Sequence, residues 1–127
     1  MVTVTTDDGR EWLFEEPGWR NLCYGVVDRQ FYWWSARHLV AIPLRPGDDL
    51  VEVWTDEDIL FVFAAPGGEW LMVCETSVRL LDGDRELSRV ELAEAIADVR
   101  WNRPYLLVND VSGISIRVTL VEGGLVA

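Results

Sequence analysis

Four strand-like runs in this chain are apolar on both faces: "FYWW" (31–34), "HLVAIPL" (38–44), "ILFVFAA" (59–65) and "WLMVC" (70–74). Neighbouring side chains in a strand point to opposite sides, so Phe31 and Trp33 go one way while Tyr32 and Trp34 go the other. Strands without polar alternation must be covered twice. The last strand behaves differently, with Ile114, Ile116, Val118 and Leu120 on one face and Ser115, Arg117 and Thr119 on the other, as expected of a sheet that meets water on one side.

Turn chemistry divides the rest. Asp8-Gly9 and Asp82-Gly83 supply the positive φ that tight hairpins need, and "NDVSG" (109–113) turns a third hairpin. "EEPGWRN" reads as a loop, and Pro46-Gly47, "TDED" and Pro66-Gly67-Gly68 separate further short strands. One segment carries a helical pattern. Ser88 stands three residues before Glu91 in a capping box, Leu92, Ile96 and Val99 follow at helical spacing, Asn102 is a reasonable terminator and Pro104 forbids continuation. The expected class is α+β: mostly antiparallel hairpins forming a curved sheet, partial barrel or sandwich, with one short helix near 89–101, in a single globular domain over 1–127.

One short helix cannot cover so many two-faced strands. The remaining cover must be the sheet curling on itself, a second copy of the chain, or another protein. Seven tryptophans bear on this choice, because Trp is enriched at binding hot spots. Trp12, Trp70 and Trp101 are expected in the core, as is Trp33, with Trp34 next to "SAR" reaching a contact rim. In "LVEVWTDED" alternation sends Val51 and Val53 inward and Leu50, Glu52 and Trp54 outward. Trp54 would then stand among Asp48, Asp49, Glu52, Asp56, Glu57 and Asp58. An exposed indole ringed by carboxylates suits a partner rich in Arg and Lys.

Charge agrees with that. The chain has 22 acidic residues against 11 basic ones, all of them Arg, for a net charge of −11. Such a field repels nucleic acid and anionic lipid and steers basic proteins inward. "MVTVTTDDGREW" has neither the basic nor the apolar region of a secretory leader, and no run approaches the roughly 18 apolar residues of a membrane span, so a cytoplasmic protein is expected.

Catalytic and metal motifs are not apparent. Cys23 and Cys74 lie in apolar strands, as buried free thiols do, rather than at helix N-termini where a thiolate is stabilised. With His38, the only histidine, they are too few for a structural zinc site. "DGDRE" fails as a calcium loop, since Leu87 stands where glycine is needed and Ala93 where the bidentate Glu belongs. There is no nucleophile elbow and no phosphate loop. No enzyme, cofactor or metal is expected.

A small acidic chain with surplus aromatic surface and no catalytic constellation is similar in kind, though in no motif, to bacterial immunity proteins, the acidic inhibitors that cells make against their own toxins. The resemblance implies occlusion: acids of 48–58 engage basic residues of a toxin's cleft, with Trp54 and nearby aromatics as the desolvated centre. Two alternatives stand beside it, a small-molecule-binding barrel or sandwich with an aromatic-lined pocket and a structural homodimer.

Overall fold

The computed structural model describes residues 2–5, 9–14, 23–27, 30–43 and 49–127. Asp8, the 15–21 loop, Pro46-Gly47, Asp48 and the side chains of Trp12 and Cys23 lie outside that description. Chain contacts gather into two compact units, Met1–Asp56 and Glu57–Ala127.

In the first unit, β1 (Val2–Thr5) pairs antiparallel with β2 (Glu11–Phe14), and Gly9, shortly before β2, sits at φ 87°. Then β3 (Cys23–Val27), β4 (Gln30–Ser35), β5 (His38–Pro43) and β6 (Val51–Trp54) form a meander in sequence order. Every residue of β5 is buried, as expected for an apolar central strand.

The second unit repeats that plan twice. Its strands β7 (Ile59–Ala64), β8 (Trp70–Cys74), β9 (Ser77–Asp82) and β10 (Arg85–Glu91) make one four-stranded meander. Another follows in β11 (Ile96–Asn102), β12 (Tyr105–Asp110), β13 (Ser115–Val121) and β14 (Gly124–Val126). The two sheets share a core in which Leu71, Val73 and Val78 meet Ile96, Leu106, Val108 and Val118. Trp70 is buried, and Trp101 packs at the margin of that core.

The fold is therefore all-β among the described residues, and the helix near 89–101 is not formed. Two bulges explain how strands imitated a helix. Leu87 is skipped between the pairs Glu86↔Leu81 and Ser88↔Leu80, and Ala97 between Ile96↔Asp110 and Asp98↔Asn109. A bulge inserts one residue, so the inward-facing Ile96 and Val99 fall three apart, as they would on one face of a helix. The backbone is committed elsewhere as well. The Leu92 and Ile96 amides donate to the carbonyls of Thr76 and Glu75, whereas a helix would have Ile96 donate to Leu92.

The residues of the supposed capping box have other partners. Glu91 pairs with Arg89 at 3.2 Å, and the Ser88 hydroxyl accepts the Leu125 amide at 3.0 Å, tying β14 to β10. Ser88→Ala is expected to cost about 1 kcal/mol and to speed exchange of the Leu125 amide relative to other β14 amides. Unchanged protection of Leu125 would show that this bond does not hold the strand.

Candidate functional site

The site in the first unit is built by one tight turn and one strand register. Ala36 and Arg37 alone join β4 to β5, with Ala36 at φ 45°, a left-handed conformation that a Cβ disfavours. The turn sets Ser35 opposite His38, and pairing of β5 with β6 sets His38 opposite Trp54 and Val40 opposite Glu52. Because side chains at paired positions share a face, Trp33, His38, Glu52 and Trp54 all come to one side of the sheet. The Thr55 amide donates to the Arg37 carbonyl at 2.9 Å, fastening the end of β6 to the same turn.

His38 is the pivot. Its ring is 1% exposed and stacks on the Trp54 indole at 3.7 Å between centroids and 9° between planes. On another side it meets fully buried Trp33 nearly edge-on, at 5.1 Å and 84°. Its Nε2–H donates to Glu52 Oε1 at 2.8 Å; an ionised carboxylate only accepts, so the proton of this bond resides on Nε2. A buried base layer thus holds two groups that remain open to solvent, the Trp54 indole at 59% and the Glu52 side chain at 42% exposure.

The other expected contact residues distribute unevenly. Asp49 and Leu50 precede β6 and are exposed, as is Asp56 beyond it. Trp34 is half-buried and stacks on Tyr32 at 6.1 Å and 6°. Register puts Trp34 opposite Leu39, which pairs with Val53, so it occupies the face opposite Trp54. Tyr32 in turn lies across Gly25, where an added Cβ would fall 2.6 Å from its hydroxyl. His38 was missed as a site residue because it lies far from Trp54 in the sequence, and only the register of β5 on β6 sets the two opposite each other.

In the second unit, Asp58 is exposed whereas Glu57 is occupied internally. Glu57 Oε1 accepts the Thr76 amide at 2.7 Å and the Thr76 hydroxyl; Oε2 accepts the Ser77 hydroxyl and Arg79 Nη2, each at 2.6 Å. Burial pushes the Glu57 carboxyl up, but hydrogen bonds from Ser77, Thr76 and Arg79 outweigh it and hold it at about 2. Cys74, buried nearby, is a free thiol raised to about 11 chiefly by burial, which keeps it protonated and unreactive near neutral pH.

Among the described residues no group of three or more His, Cys, Asp or Glu side chains is arranged to hold a metal ion, and no helix is long and apolar enough to cross a membrane. A recess of about 350 Å³ lies among Pro66, Glu69, Pro104, Leu120 and Glu122, without an aromatic in its lining. No protein-family model, curated protein or solved structure matches the chain.

Proposed function

We propose that this protein is a small acidic inhibitor that binds a basic protein, most simply an immunity protein that occludes a toxin's cationic cleft. The observation that carries the reading is Trp54: a large indole 59% exposed, yet held flat against a buried histidine. A mobile surface Trp would lose rotamer freedom on binding; this one is already ordered, so that cost is reduced. In the same segment Asp49, Glu52 and Asp56 are exposed, and the net charge of −11 attracts a cationic partner over distance. Hot-spot logic assigns affinity to the aromatic centre and encounter rate to the acids.

Co-expression with the protein encoded beside it supplies the test. Trp54→Ala loses one aromatic pair, worth about 1 kcal/mol, so the melting temperature is expected to stay within a few degrees. Binding to the co-expressed partner is expected to weaken by roughly 2 kcal/mol or more. Undiminished binding by a folded Trp54→Ala variant would remove this surface from the interface.

A further inference from the structure

We infer that the Trp54–Glu52 face is an arginine receptor: it takes a guanidinium group of the basic partner, stacked on the outer face of the indole and paired with the carboxylate. The inference rests on the protein-binding reading above and names the partner residue at its centre. The Trp54 ring has one face covered by His38 and is otherwise largely open. A cation over an indole is attracted by the ring quadrupole, and a planar guanidinium can lie parallel to it as the His38 ring does on the other side.

Glu52 completes the receptor. It stands two residues before Trp54 on the same face, about 7 Å along the strand. One of its oxygens, Oε1, is anchored by His38 Nε2, and Oε2 takes no donor among the described residues. The carboxylate is therefore oriented through the same buried ring that orients the indole. An arginine can satisfy both groups at once, its plane on the indole and an N–H edge toward Oε2. Lysine cannot, because its compact ammonium is more strongly hydrated and has no plane to stack. His38 acts here as a positioning residue: it contacts both receptor groups and lies too deep to meet the partner.

The experiment is calorimetric titration of the full chain with nona-arginine and nona-lysine peptides at matched ionic strength, for wild type, Trp54→Leu and Glu52→Gln. The overall charge draws in both peptides, so the arginine preference is the quantity read. Wild type is expected to bind nona-arginine at least about fivefold more tightly than nona-lysine. Trp54→Leu keeps an apolar side chain but removes the π face; it is expected to abolish the preference while changing nona-lysine affinity less than about twofold. Glu52→Gln is expected to reduce the preference with the fold intact. Equal affinity of wild type for the two peptides, or a preference that survives Trp54→Leu, would overturn the inference. If that happened while Trp54→Ala still weakened binding to the protein partner, the interface would stand and only the arginine assignment would fall.

Discussion

Replacing Trp33 by alanine is expected to cost about 3–5 kcal/mol of stability, the toll for deleting a large core aromatic. Its side chain is fully buried, pairs across the sheet with equally buried Val40, and braces His38 edge-on. The cavity would lie directly beneath the ring that supports Trp54 and Glu52. Trp34, one residue later, is half-buried on the opposite face against Tyr32, and Trp34→Ala is expected to cost less than half as much. Denaturant midpoints of the two variants decide the matter. Equal, severe losses would mean that both faces of β4 depend alike on their indoles, and that the exposure of Trp34 does not reflect its role.

Glu57→Gln is expected to produce a loss of similar size in the second unit. Arg79 is 4% exposed and has its short ion pair with Glu57, with Glu86 only at 4.0 Å. Removing the carboxylate that makes the short contact weakens the compensation of a buried guanidinium, and breaking a buried pair typically costs about 3–5 kcal/mol. The damage should spread, because Glu57 also holds the Thr76 amide and hydroxyl, and the carbonyls of Glu75 and Thr76 accept the amides that carry the chain from β10 to β11.

This substitution also predicts a pH dependence. The folded carboxyl, at about 2, lies below its ordinary value of 4.5, so its contribution is fully present above that value and is lost as pH falls toward 2. Wild type and Glu57→Gln should therefore converge in urea midpoint as pH is lowered from 4.5 to 2. A difference that stays constant over that range would show that the carboxylate's charge is not what stabilises the unit.

What could be read directly from the chain was local. The Asp82-Gly83 pair turns β9 into β10 with Gly83 at φ 61°, and alternation in β13 leaves Val118 buried with Ser115 and Arg117 exposed, although Ile114, just before the strand, is exposed rather than covered. Both signals come from neighbours a few residues apart, where backbone stereochemistry and the two-residue period act without help from the rest of the fold. Leu50, Glu52 and Trp54 are exposed while Val51 and Val53 are half-buried, as that same alternation required.

Tertiary structure decided three other things. It made β10 and β11 out of a segment with helical spacing, because bulges at Leu87 and Ala97 and acceptors on Thr76 and Glu75 satisfied the chain as strands. Short-range pattern cannot distinguish a bulged strand from a helix when both set apolar residues three apart. It turned Glu57, one acid in a run of exposed ones, inward to Arg79, a pairing across 22 residues that composition does not encode. And it set His38 beneath Trp54 and beside Glu52. The sequence alone determined that an indole and a carboxylate would share the outer face of one strand; only the register of β5 on β6 supplied the buried ring that orients them both.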